Sequence, residues 1–208
     1  MSAIQSKHEE FLNTFTHGLG IVLSFLGLLV LVSNYDEEKI DFLYVLIYGL
    51  SLILLYSAST IYHSVNHKAY KALLRKLDHI SIYILISGTY TPICTSVLKD
   101  SYGLLILSIV WSLTLLGLIL KLFFTGRFEK ISLLLYLIMG WLIIIDIDVF
   151  YQNVEGITLW FLGLGGFFYT SGILFYVMHN LKYHHVIWHV FVLLGSFFHY
   201  LMVLQVIT

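Results

Sequence analysis

The chain has one cysteine and one proline in 208 residues, and only 11% of it is Asp, Glu, Lys or Arg. The lone Cys94 excludes an intrachain disulfide and cannot by itself build a thiolate metal cluster. The lone Pro92 removes one backbone hydrogen bond and is expected to kink its helix, which either opens a cavity between helices or serves packing alone. Charge is the more telling shortage, because a soluble domain carries about 25% charged residues. Too little polar surface is left to coat a globule, so composition points to an integral membrane protein. A net charge of −1 provides no basic face for nucleic acid. The N-terminus lacks a basic stretch leading at once into a short apolar core with a small-residue cleavage site. The first apolar segment is therefore expected to be retained.

What is present is apolar: 59% of the residues are hydrophobic and the mean hydropathy is +0.90. Residues 11–35, 42–67, 79–98, 101–120, 156–181 and 183–208 each lack Asp, Glu, Lys and Arg. About 20 apolar residues cross the hydrocarbon as a helix, and helices satisfy their own backbone groups in lipid. Residues 131–145 form a shorter run, which spans if Asp146 and Asp148 lie near its far end. The expectation is an all-α integral membrane protein, one domain over 1–208 with seven transmembrane helices. Their expected extents are about 14–33, 42–64, 77–98, 102–122, 131–150, 157–179 and 184–206.

The basic residues orient this bundle. Lys7, Lys68, Lys71, Arg75, Lys76, Lys121, Arg127, Lys130 and Lys182 fall in the N-terminal segment and the even-numbered loops. Only Lys39 and Lys99 fall in the odd-numbered loops. The positive-inside rule then places the N-terminus in the cytoplasm and the C-terminus outside.

On that topology, polar residues from three helices gather at one depth. His63 ends the second helix, with Ser59 one turn away on the same face. Asp78 begins the third helix. His185 and His189 begin the last, one turn and roughly 6 Å apart on one face. Histidines near helix ends can simply bond headgroups or neighbouring helices. A His-x-x-x-His pair facing a third histidine is also a common way to hold a divalent metal, and an ionisable residue within the membrane is a functional candidate. The spacing favours the metal. Three neutral imidazoles suit zinc and leave a fourth position open. Asp78 is either a fourth ligand or, more in keeping with three histidines, the group that holds a water and takes its proton. Ser59 is placed to orient that water or a substrate oxygen, or to bond back to its own helix.

Other polar residues are expected to matter less. His184 and His79 point about 100° away from His185 and Asp78. Glu10, Asn13 and His17 either stand behind the metal ligands or form a helix-start network that fixes how the N-terminal segment packs, and the network is slightly favoured. Asp146 is about 22 Å along its helix from the inner end. Asp146 or Asp148 forms an outer polar cluster with His199, or, as is favoured, these groups reach outer water separately. Gly20/Ser24 and Gly166/Thr170 are small-x-x-x-small pairs for close packing. Tyr62 and Tyr83 are expected to face the bundle interior.

Four motifs in order resemble the hemolysin III family, the bacterial branch of the progestin and adipoQ receptor (PAQR) proteins. They are "EFLNTFTHGLG" (10–20), "SASTIYHS" (57–64), "LDHISIYILISGTYTP" (77–92) and "HHVIWHVFVLLGSFFHY" (184–200). The resemblance implies zinc held by His63, His185 and His189 near the cytoplasmic face, with Asp78 and Ser59 beside it. It also implies a distant likeness to alkaline ceramidases, which cleave a lipid amide at a similar site. The expected activity is therefore a zinc-dependent lipid amide or ester hydrolase of the cell (inner) membrane, acting in membrane lipid homeostasis with a membrane lipid as substrate or ligand. The alternatives are a non-catalytic membrane sensor with structural zinc, and a haemolytic pore-forming protein.

Overall fold

The computed structural model describes residues 5–208, and the described residues form helices without a strand. They are α1 (Lys7–Asn34), α2 (Phe42–Ser64), α3 (Lys68–Thr95), α4 (Gly103–Phe124), α5 (Glu129–Gly140), α6 (Ile147–Asn153), α7 (Gly156–Val177) and α8 (His184–Ile207). A 3-10 turn, Leu142–Asp146, joins α5 to α6.

Six of these stretches are long and apolar enough to cross a membrane: α1, α2, α4, the α5–α6 stretch Glu129–Asn153, α7 and α8. Phe11, Phe15, Val22, Leu26 and Leu29 of α1 lie bare on the surface. In water such a band would aggregate; in lipid it is the natural outer face. The protein is a multi-pass membrane protein.

α3 falls outside that set of six. It carries Asp78, His79, Ser81, Ser87, Thr89 and Thr91, which lower its hydropathy, and most of its length from Asp78 to Cys94 is buried. It packs against α2, α4, α5 and α8, while α8 packs on α1 and α7. A helix enclosed by other helices has no need to be apolar all round.

α3 also starts at Lys68, well before the edge of its charge-free run. α1 likewise starts at Lys7, where a capping box forms: Ser6 Oγ accepts from the Glu9 N–H and Glu9 accepts from the Ser6 N–H. Charge marks where lipid ends, not where the helix ends, because a helix can continue into the headgroups.

The fifth apolar run is interrupted. After Gly140 the backbone tightens into the 3-10 turn, and Tyr90 of α3 fits the break. Its hydroxyl donates to Gly140 O at 3.1 Å and accepts from the Ile143 N–H at 2.9 Å. Freed backbone groups at membrane depth must be satisfied by neighbours, and Tyr90 does so here. Asp146, at the end of the turn, is 4% exposed. Its carboxylate accepts from Ser101 Oγ and from the Tyr102 N–H, which holds the start of α4.

No cluster of these three forms: the exposed Asp148 fits the reading of separate groups, whereas Asp146 and His199 fit neither reading. Asp146 is buried and engaged by α4, and Asp148 is exposed. His199 instead packs against Tyr169, ring centroids 5.3 Å apart, and over Gly165. Of the two small-residue pairs, Gly20/Ser24 is the buried one. A Cβ at Gly20 would intrude on the Tyr56 ring, so α1 and α2 approach closely there. Tyr83 is fully buried and Tyr62 partly so.

Candidate metal centre

The end of the bundle that carries the histidines also carries most of the basic residues. There α1, α2, α3 and α8 converge. One ring nitrogen from each of His63, His185 and His189 lies within 4.8 Å of the other two. His63 and His189 are buried and His185 is partly buried. Their ring centroids are 4.7–5.2 Å apart, and no pair is parallel. The rings therefore converge on a point rather than stacking as packing groups.

The hydrogen bonds decide which nitrogens face that point. His63 Nδ1 is 2.6 Å from Glu10 Oε2. A carboxylate only accepts, so Nδ1 carries the proton and Nε2 keeps its lone pair. Thr16 Oγ1 donates to Leu12 O at 2.9 Å and lies 3.3 Å from His189 Nδ1, from which it can accept. His189 Nε2 is then also a free acceptor. The Nε2 atoms of His63, His185 and His189 are all buried without a hydrogen-bond partner.

Buried Nε2 acceptors on His63 and His189, with the equally partnerless Nε2 of His185 on the third ring, are costly unless something with positive charge sits among them. A divalent ion meets that need, and imidazole nitrogen suits zinc. The three histidines fit the metal on this test. Metal-binding histidines usually give their other N–H to a carboxylate or hydroxyl, which fixes the tautomer. Glu10 and Thr16 stand in that relation to His63 and His189.

Glu10 is itself held. Lys71 Nζ donates to its second oxygen at 2.6 Å, and Asn13 lies 3.5 Å from His63 Nδ1. Glu9 accepts from the backbone N–H of Tyr183 at 3.2 Å. Tyr183 has a left-handed backbone (φ 61°) just before α8. The first turns of α1 thus touch His63, His189 and the approach to α8. Of the two readings of Glu10, Asn13 and His17, the contacts match the one that sets them behind the histidines rather than the slightly favoured packing network. Lys71 gave no advance sign beyond its charge.

Asp78 is 8% exposed. Ser59 is buried beside its carboxyl without closing a hydrogen bond to it, and His63 is also near. His79 faces elsewhere. Its Nδ1 is 3.5 Å from Glu129 without a hydrogen bond, and Glu129 accepts from Lys121 at 2.7 Å and Arg75 at 3.2 Å. This second charged cluster joins α3, α4 and α5. Residue spacing did not reveal it, because its members come from three separate segments.

From Asp78 an apolar cavity runs along α3 as far as Ile93, about 22 Å by helical rise. His17, Tyr90, Phe150 and Met202 line it as well. It passes the Pro92 region, where sequence suggested an opening. The cavity can take a chain of methylenes with a polar group at the Asp78 end.

Relatives agree with this picture of the chain. A family model of "Haemolysin-III related" proteins matches residues 5–200. The chain is 44% identical over 191 residues to the hemolysin-3 homolog of Bacillus subtilis (strain 168), covering 90% of this chain and 89% of that one. It is 42% identical over 194 residues to hemolysin-3 of Bacillus cereus, covering 92% and 89%. It is 27% identical over 206 residues to the human monocyte to macrophage differentiation factor, covering 93% and 82%. With matches of this extent, the chain belongs to the hemolysin III family of PAQR-type membrane proteins.

Proposed function

We propose that this protein is a zinc-dependent hydrolase of a lipid amide or ester, working inside the membrane in lipid homeostasis. One observation carries the reading. Three converging histidines carry partnerless Nε2 atoms, and one of them, His189, stacks on His17, which lines the same apolar cavity as Asp78. His63, His185 and His189 would hold the ion. Zinc supplies Lewis acidity there, polarising a carbonyl and making water a better nucleophile near neutral pH.

The chain's own residues do the rest. The cavity binds the acyl chain and keeps it out of water. Asp78 takes the proton of the attacking water as its oxygen bonds to the carbonyl carbon. Asp78 then passes that proton to the leaving nitrogen or oxygen as the acyl bond breaks. Ser59 orients the water or the carbonyl. Glu10 and Thr16 fix the tautomers of His63 and His189.

We also place the protein in the cell (inner) membrane with seven spans, α3 counted as the seventh. The N-terminus is then cytoplasmic, the C-terminus outside, and the metal centre on the cytoplasmic side. The support is the positive-inside rule, together with Lys71, Arg75 and Lys121 lying at the histidine end.

The test is fatty-acid release by purified, zinc-loaded protein from an N-acyl lipid amide and from the matching ester. Release that disappears with chelator and in Asp78→Asn supports the reading. Equal release by wild type and Asp78→Asn, or none from any lipid, removes it. A second reading is a sensor in which zinc ties α2 to α8. The convergence of the two helices on one nitrogen cluster favours it, and it differs by requiring Asp78→Asn to keep full function.

A further inference from the structure

A fully buried histidine with no hydrogen bond is uncommon, since an unmet polar group forfeits what water gave it. His17 is such a residue. It is 2% exposed, and neither Nδ1 nor Nε2 has a partner. Its ring lies flat on His189, centroids 3.6 Å apart and planes 9° from parallel. Tyr56 meets it edge-on at 5.1 Å. His17 and Asp78 line the same apolar cavity.

The stack rules out the simplest explanation, that His17 is a further ligand of the same ion. A metal bound by an imidazole nitrogen sits near the plane of that ring, about 2.0–2.1 Å away. An ion in the plane of His189 stands off the plane of His17 by about the spacing of the stack. That spacing exceeds a whole zinc–nitrogen bond. In keeping with this, His17 is outside the converging trio. Packing alone is no better an account, because a leucine or phenylalanine would fill the space without two unmet nitrogens.

What remains is a polar group arriving through the cavity. We infer that His17 is the substrate-binding residue that donates a hydrogen bond to the acyl carbonyl of a lipid seated in the cavity. A neutral imidazole has one N–H donor and one acceptor nitrogen. The carbonyl oxygen is common to lipid amides and esters. The inference rests on the lipid-hydrolase reading for its ligand class, but it concerns binding and needs no turnover. It also gives the His17–His189 stack a purpose: one ring faces the ion, and the next layer faces the ligand.

The experiment compares zinc-loaded wild type with His17→Phe, which keeps a flat ring on His189, and His17→Gln, which restores a donor. Three probes are titrated: an N-palmitoyl amide, methyl palmitate, and a plain long-chain alkane. Zinc per chain and melting temperature are measured alongside. The expected result is unchanged zinc content and alkane binding in all variants. His17→Phe binds the amide and the ester at least about tenfold more weakly, and His17→Gln recovers part of the loss. A loss confined to the amide or to the ester identifies which lipid class His17 serves. Wild-type binding of both carbonyl probes by His17→Phe overturns the inference. So does an equal loss of the alkane, or a loss of zinc. If wild type binds in this His17-dependent way and hydrolyses nothing, the hydrolase reading fails and the binding role stands.

Discussion

Glu10 and His63 are 53 residues apart in the chain and meet at 2.6 Å, Oε2 to Nδ1. The contact sets the imidazole tautomer before any ion arrives. Glu10→Gln leaves a neutral partner that no longer supports the ring's basicity. Zinc affinity is expected to fall by about 10–100-fold, the usual effect of losing such a support. Lys71→Met, which removes the donor to Glu10 and the ammonium over the Tyr62 ring but leaves the Glu10 carboxylate in place, should fall less. Competition against a chromophoric chelator reads both, and unchanged affinity in Glu10→Gln refutes the role.

The trio predicts one metal per chain. Purified wild type should carry about one equivalent of zinc, while His63→Ala and His189→Ala carry almost none. Zinc at about 100 times its dissociation constant should stabilise the fold by about 2.7 kcal/mol. Elemental analysis and thermal unfolding check the two halves. A metal-free wild type that does not respond to added zinc contradicts the centre.

Asp78 and the ion are separable. Asp78→Asn keeps the shape and hydrogen-bonding capacity but cannot accept a proton. It should bind zinc as wild type does and lose about 10²–10⁴-fold in turnover. Retained turnover, or loss of zinc together with turnover, assigns Asp78 a different role from the one proposed.

Glu129 balances Lys121, which is only 3% exposed, as well as Arg75. Glu129→Gln leaves a buried ammonium without a counter-charge. A broken buried pair costs about 3–5 kcal/mol, and the lower figure is expected because Glu129 is partly exposed. The double variant Glu129→Gln/Lys121→Met should recover most of that stability. Unfolding in detergent measures this, and the absence of recovery shows that the pair is not the cause.

At Gly20 the neighbour is a ring. Gly20→Ala forces Tyr56 aside, and Tyr56 is the edge against which His17 rests. Overpacking of this kind costs about 1–3 kcal/mol. A melting temperature equal to that of wild type shows that the α1–α2 contact yields more easily than it looks.

The sequence made some of this legible and concealed the rest for identifiable reasons. The helical membrane architecture was readable because lipid excludes charge, and the charge-free runs mark where charge is missing. His63, His185 and His189 were readable because one helical turn separates two of them and basic residues set the depth of the third. Tyr90 in the break after Gly140 was not readable. The repair is made by a side chain 50 residues away, and nothing near Gly140 announces it. The membership of α3 is the reverse case. Its serines and threonines look like a weak span in isolation and make sense only once α2, α4, α5 and α8 enclose it. Glu10 and His17 stood on one face of α1 in plain view. Which helix that face meets is a tertiary fact, so their contacts with His63 and His189 could not be read from spacing.

The order of the site along the chain has a consequence for synthesis. Glu10, His63 and Asp78 lie in the first three helices, and His185 and His189 lie in the last. A ribosome that has delivered α1 to α7 into the bilayer has made most of the bundle and none of the histidine pair. His63 waits for more than a hundred residues of translation before its partners arrive. A chain cut short anywhere before α8 therefore lacks two of the three converging imidazoles, however well its earlier helices have packed.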